Sequence, residues 1–81
     1  MSTLYGVDMR SFSIRLKEER QGCGLTQKQM AEFLNINLYA YKTYEALATN
    51  HREPNLETLI KITKILDVSV DYLLGIKDSI E

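Results

Sequence analysis

Apolar residues recur along this chain every three or four positions, in blocks separated by short polar or glycine-bearing breaks. That period marks helices that bury one face. One proline, Pro54, and four glycines, Gly6, Gly22, Gly24 and Gly75, interrupt it. The pattern predicts an all-α protein, a compact arrangement of five short helices. The first is expected over residues 9–21, with Met9, Phe12 and Leu16 on its inner face. Gly22 and Gly24 then supply backbone that can leave the helical region, and Cys23 between them is expected in the core. A second helix opens at Thr26, which with Gln29 has the S/T-x-x-E/Q spacing of a capping box. Met30, Ala31 and Leu34 form its inner face. Asn35, more tolerant of the left-handed conformation than most side chains, ends it.

Asn37 is a suitable N-cap for a third helix running from Leu38 to about Ala48. Its inward stripe is Tyr41 and Tyr44, continued by Leu47 or Ala48, while Leu38, Tyr39, Lys42 and Thr43 point outward. Residues 49–54 read as a polar loop. Asn55 caps a fourth helix with the stripe Leu56, Leu59, Ile60, Thr63 and Leu66. Ser69 caps a short fifth, with Val70, Leu73 and Leu74 inward and Asp71 favourably placed in the first turn. Gly75 ends it, leaving residues 76–81 as a tail whose Ile76 and Ile80 could dock. The second and third helices are joined only by Asn35, Ile36 and Asn37. A connection that short forces a steep crossing, the geometry of a helix-turn-helix over residues 27–46. Ala31 is small where the helices approach, and Ile36 plugs the corner.

These residues resemble the Cro/CI-type helix-turn-helix family of phage repressors and related bacterial regulators. The stretch Gly24-Leu-Thr-Gln-Lys-Gln-Met-Ala31 is similar to the family's entry to its second helix. Ala31-Glu-Phe-Leu-Asn-Ile-Asn37, followed by Tyr41, Tyr44 and Glu45, matches the turn and the third helix without a gap. Pro54 to Leu59 and Leu66 to Gly75 match the fourth and fifth. The resemblance covers residues 12–75, with residues 1–11 an extension that includes the start of the first helix. Three positions depart from the pattern. Asn35 stands for the usual turn glycine, Tyr41 for an aliphatic core residue, and the segment between Glu45 and Pro54 is two or three residues longer than usual.

The resemblance implies sequence-specific binding of double-stranded DNA by a transcriptional regulator, a repressor, with the helix after Asn37 in the major groove. It implies that Gln27 binds phosphate at a helix N-terminus, where orphan N–H groups attract anions, with Lys28 adding charge. The matching readout positions are Leu38, Tyr39 and Thr43, with Asn37 and Lys42 near the strands. Arg52 is the best further phosphate ligand if the long loop folds back. Arg20 and Glu45 resemble the family's buried ion pair, a structural link between the first and third helices. No Arg or Gln stands on the reading helix for bidentate base contacts, so a monomer is expected to bind weakly. A homodimer on a palindromic operator would multiply the phosphate contacts. Ile60, Ile62, Ile65 and Ile80 exceed what one small core buries and suggest a dimer surface near the last two helices.

Bulk properties bound the alternatives. The 81 residues suffice for one domain. A hydrophobic share of 44% and a charged share of 26% are ordinary for a globular protein. No secretory signal or membrane-spanning run is visible, so a cytoplasmic location is expected. One cysteine, Cys23, and one histidine, His51, allow no internal disulfide and no metal set. His51 reads as a solvent-facing loop residue. No cofactor, metal or small-molecule ligand is expected, and no pairing of titratable groups suggests an enzyme. Ten Lys and Arg against eleven Asp and Glu give a net charge of −1, low for a nucleic-acid binder. With the apolar pair Leu38 and Tyr39, that balance supports a second reading: a protein-interaction module on the same fold, an antitoxin-like or antirepressor partner. Gln27, Lys28 and Asn37 speak against it.

Overall fold

Among the described residues, five helices follow one another in the order α1 (Met9–Gly22), α2 (Gln27–Leu34), α3 (Leu38–Glu45), α4 (Leu56–Leu66) and α5 (Val70–Leu73). The structure is a computed structural model that describes residues 3–4 and 7–76, with side chains from Arg10 onward. The side chain of Met9 and the whole of Ile80, both assigned roles above, lie outside the described residues. Ahead of α1, strands β1 (Thr3–Leu4) and β2 (Val7–Asp8) pair antiparallel, Thr3 opposite Asp8 and Leu4 opposite Val7. Two residues per strand are too few to leave an alternating pattern in the sequence, so this pairing was not expected.

The caps are where the sequence places them. The Thr26 hydroxyl accepts from the Gln29 N–H at 3.0 Å, while the Gln29 side chain accepts from the Thr26 N–H at 2.8 Å. Asn37 accepts from the Ala40 N–H at 2.7 Å, Asn55 from Thr58 at 2.8 Å, and Ser69 from Tyr72 at 3.0 Å. Each satisfies a donor that a helix start otherwise leaves orphaned. Asn35 ends α2 in the left-handed region at φ 58°. Ile36 closes the corner, its N–H reaching back to the Ala31 carbonyl at 3.0 Å.

Every helix contributes to one core. Phe12 and Leu16 of α1 meet Met30, Ala31 and Leu34 of α2, Tyr41 and Tyr44 of α3, Ile62 and Leu66 of α4, and Val68 and Leu73 near α5. Tyr41 fills the usual aliphatic position with no exposure, and its ring stands edge-on to Tyr44 with centroids 5.9 Å apart. On the far side, the Arg15 guanidinium lies 4.5 Å from the Tyr72 ring centroid and donates to the Tyr72 carbonyl at 2.6 Å, tying α5 to α1.

Four expectations need correction. First, α3 ends at Glu45, three residues early, because Ala46 turns to extended backbone at ψ 144°. The loop supplies the replacement bond, with the Arg52 N–H donating to the Thr43 carbonyl at 3.1 Å. Leu47, expected inside, is 51% exposed, and Ala48 is exposed as well. Second, Cys23 is exposed, since Gly24 at φ 73° turns the chain so that Leu25 packs on the core in its place. Third, the buried row of α4 runs through Ile62 and Leu66, with Leu59 and Ile65 half-buried beside it. Leu56 and Ile60 are outside. Ile62, expected on a dimer surface, is fully buried.

The fourth correction is His51, which is half-buried rather than solvent-facing. Its Nδ1 lies 3.1 Å from the Ala46 carbonyl and 3.2 Å from the Ser13 hydroxyl. Ser13 in turn donates to the Tyr44 carbonyl at 2.8 Å. These contacts fasten the long loop and the end of α3 to α1. The His51 Nε2 is buried, without a hydrogen-bond partner among the described residues.

Candidate nucleic-acid interface

The site begins with the anchor beneath it. Arg20 closes on Glu45 at two points, Nε to Oε2 at 2.7 Å and Nη2 to Oε1 at 3.1 Å. Its remaining Nη1 donates to the Leu25 carbonyl at 2.7 Å. Tyr41, one turn before Glu45 on α3, donates its hydroxyl to Glu45 Oε2. Gln27, at the first position of α2, donates its Nε2 to Glu45 Oε1 at 3.0 Å. One carboxylate thus gathers α1, α2 and α3. Burial pushes the Glu45 carboxyl up, and the hydrogen bonds from Arg20, Tyr41 and Gln27 overcome that and hold it below the usual carboxylate range. The bond to Glu45 outweighs burial at Arg20 and raises its guanidinium pKa. Burial above all, with the adjacent carboxylate, raises the Tyr41 phenol. The charged form of the cluster, Arg20 positive and Glu45 negative, is the stable one.

Above this anchor, α3 presents a narrow face. At about 100° per residue, Leu38, Lys42 and Tyr39 fall within roughly 100° of one another around the helix. Leu38 is 36% and Tyr39 64% exposed, and Lys42 is exposed. The rest of the circumference turns inward through Tyr41, Thr43, Tyr44 and Glu45. Thr43, expected to face bases, is 1% exposed, and its hydroxyl donates to the Ala40 carbonyl at 2.6 Å. The extended loop lies back against it through the Arg52 N–H, which is why an outward-facing pattern ended inside. Asn37 is exposed, but its amide oxygen is committed to the Ala40 N–H.

The expected phosphate ligands divide. Lys28 and Arg52 are exposed, and the bond from Arg52 to the Thr43 carbonyl fixes its backbone beside the last turn of α3. Gln27 is half-buried and bound to Glu45, so its side chain serves first to seat α2 on α3. The Thr26 hydroxyl takes the Gln29 N–H, and the N–H groups of Gln27 and Lys28 open the helix, where a partial positive charge gathers. Between Arg20 and Glu45 the sole acidic residue is Glu32, and Glu45 is neutralised by Arg20. The excess acid of the chain lies elsewhere, at residues such as Glu18, Glu57, Asp67 and Asp71. A net charge of −1 is therefore compatible with a basic reading face.

Sequence reasoning missed two members of this assembly. Tyr41 was read as a core residue alone, although its i,i+4 spacing to Glu45 is the signal for a side-chain bond along one helix face. His51 carried no local signal, because its partners Ser13 and Ala46 depend on how the loop folds. Among the described residues no group of three or more His, Cys, Asp or Glu could hold a metal ion, and no helix is long and apolar enough to cross a membrane.

Comparison with known proteins falls on this same region. The helix-turn-helix family model HTH_3 matches residues 16–73. The HTH-type transcriptional regulator ImmR of Bacillus subtilis is 46% identical over 70 residues, covering 86% of this chain and 52% of ImmR. The cryptic phage CTXphi transcriptional repressor RstR of Vibrio cholerae is 39% identical over 61 residues, covering 75% of this chain and 52% of RstR. The chain spans about half the length of these curated relatives. Among solved structures, the restriction-modification controller protein C.AhdI of Aeromonas hydrophila superposes with a TM-score of 0.68 at 26% identity, covering 82% of this chain and 96% of that one.

Proposed function

Because the chain belongs to the helix-turn-helix family, we propose that it binds double-stranded DNA in a sequence-specific manner and regulates transcription, with α3 lying in the major groove. The observation that carries this reading is the pairing of the exposed Leu38, Tyr39 and Lys42 face with an adjoining α2 start that bears the exposed Lys28. A recognition helix needs such a face, free of other contacts and seated on a rigid partner helix. Three side chains meeting at Glu45, those of Arg20, Gln27 and Tyr41, supply the rigidity.

The mode of action is repression. A bound homodimer on a palindromic operator would cover a promoter and exclude the transcription machinery. Dimerisation suits a domain whose own phosphate ligands are few, since two copies double the counterions released. Leu56 and Ile60, one turn apart on α4 and 71% and 41% exposed, are the apolar side chains suited to the contact between copies. A protein-interaction module is the weaker reading. The apolar pair Leu38 and Tyr39 would suit a protein partner, but the exposed Lys42 shares their helix and the exposed Lys28 and Arg52 add positive charge on α2 and the loop.

Selection of duplexes from a random pool, followed by anisotropy titration at several salt concentrations, tests the proposal. The expected result is an enriched two-fold site whose affinity falls steeply with salt. Enrichment of nothing, with no salt-dependent binding to any duplex, would overturn it.

A further inference from the structure

The face that enters the groove has unusual chemistry for a reader of base edges. Discrimination by hydrogen bonds relies on side chains that present two polar points at once, as Arg does to guanine or Asn and Gln do to adenine. In and beside α3 the side chains of Asn37, Thr43, Tyr41 and Gln27 are already engaged. The amide oxygen of Asn37 caps the helix, which closes the paired donor-and-acceptor contact to adenine. Thr43 is buried and bound to Ala40, and the Tyr41 hydroxyl is held by Glu45. Gln27 also spends its amide on Glu45. What remains outward is the branched alkyl end of Leu38, the ring and single hydroxyl of Tyr39 and the ammonium of Lys42, none of which offers a paired donor and acceptor.

Leu38 occupies the first position of α3, and the N-terminal residues of a recognition helix are those that reach base edges. The apolar feature that a base pair shows on the floor of the major groove is the thymine C5-methyl group. We propose that Leu38 is the specificity-determining residue of this surface, packing against a thymine methyl in each half-site, so that the chain selects operators by methyl contact. Tyr39 extends the apolar floor beside it. Lys42, one turn after Leu38 on the same face, holds that face against the strands. The inference rests on the DNA-binding reading above and adds to it what the site recognises.

Uracil lacks only the methyl group of thymine, so it isolates the contact. Each thymine of a selected duplex is replaced by uracil in turn, and binding is measured for the wild-type chain and for Leu38→Ala and Leu38→Met. Wild type should lose about fourfold at one thymine per half-site, the worth of one buried methyl group. Leu38→Ala should bind thymine and uracil duplexes alike, while Leu38→Met, which keeps apolar bulk, should retain most of the discrimination. Thermal melting of both variants should match wild type, because Leu38 makes no part of the core. Wild-type binding indifferent to uracil at every position, or full discrimination by Leu38→Ala, would overturn the inference and leave the DNA-binding reading standing. Failure to bind any duplex would remove both.

Discussion

Tyr41 and Glu45 lie one turn apart on α3, and the phenol of the first donates to the same carboxylate oxygen that Arg20 grips from α1. The outward face of α3 is thereby held from behind. Replacing one partner of a buried ion pair leaves the other charge without compensation. Glu45→Ala should cost about 3 kcal/mol, enough in so small a domain to lower the melting temperature by roughly 10 °C or more. Tyr41→Phe leaves Arg20 and Gln27 on the carboxylate and should cost about 1–2 kcal/mol. Thermal melts of the two variants give the ranking. An unchanged melt for Glu45→Ala would refute the anchor.

The lowered pKa of Glu45 gives stability a pH dependence of known sign. The folded state binds the proton less readily than the unfolded chain, whose carboxyl titrates near 4.5. The stabilisation is therefore complete above that value and disappears as pH falls through the lower, folded one. Melting temperatures followed from pH 7 to pH 3 should fall more steeply for wild type than for Glu45→Gln, which has no carboxylate to protonate. Parallel profiles would show that the acid response comes from other groups.

Asn35 holds the turn between α2 and α3 at φ 58°. A side chain with a Cβ is strained there, Asn less than most. Asn35→Ala should destabilise by about 1–2 kcal/mol, whereas Asn35→Gly should be neutral or slightly stabilising. Chemical denaturation separates the two. Equal losses in both variants would mean that the asparagine side chain, and not the backbone, carries the position.

The parts of this fold that were legible are those fixed within three or four residues. The caps at Thr26, Asn37, Asn55 and Ser69 each involve a side chain and an N–H three positions on, so local spacing suffices. The turn at Asn35 and Ile36 is local too. Thr43, His51 and Cys23 were misplaced because their surroundings are set by where the chain returns. Thr43 is covered by a loop whose length was visible but whose path was not. On α4, Leu56, Leu59, Ile60, Ile62, Ile65 and Leu66 leave scarcely one polar side, so more than one stripe fits the period. Packing against α2 and α5 chose the row through Ile62. The candidate DNA-facing positions came from family resemblance, and of those within α3 burial leaves Leu38, Tyr39 and Lys42 exposed.

The exposed pair Leu56 and Ile60 makes the assembly state testable. Wild type should sediment as a dimer at micromolar concentration, and Ile60→Glu as a monomer with weakened operator binding. Its melting temperature, measured at a concentration where wild type is also monomeric, should barely change, since Ile60 is already 41% exposed. A wild-type chain that stays monomeric at every concentration would exclude dimerisation through this face.

The most direct measurement is a backbone amide NMR titration of the folded chain with a selected duplex. Shifts should concentrate at Gln27 and Lys28, at Leu38, Tyr39 and Lys42, and at Arg52, and should fade as salt is raised. Shifts confined to α4 and α5, or none at a duplex concentration that saturates binding, would contradict the placement of α3 in the groove.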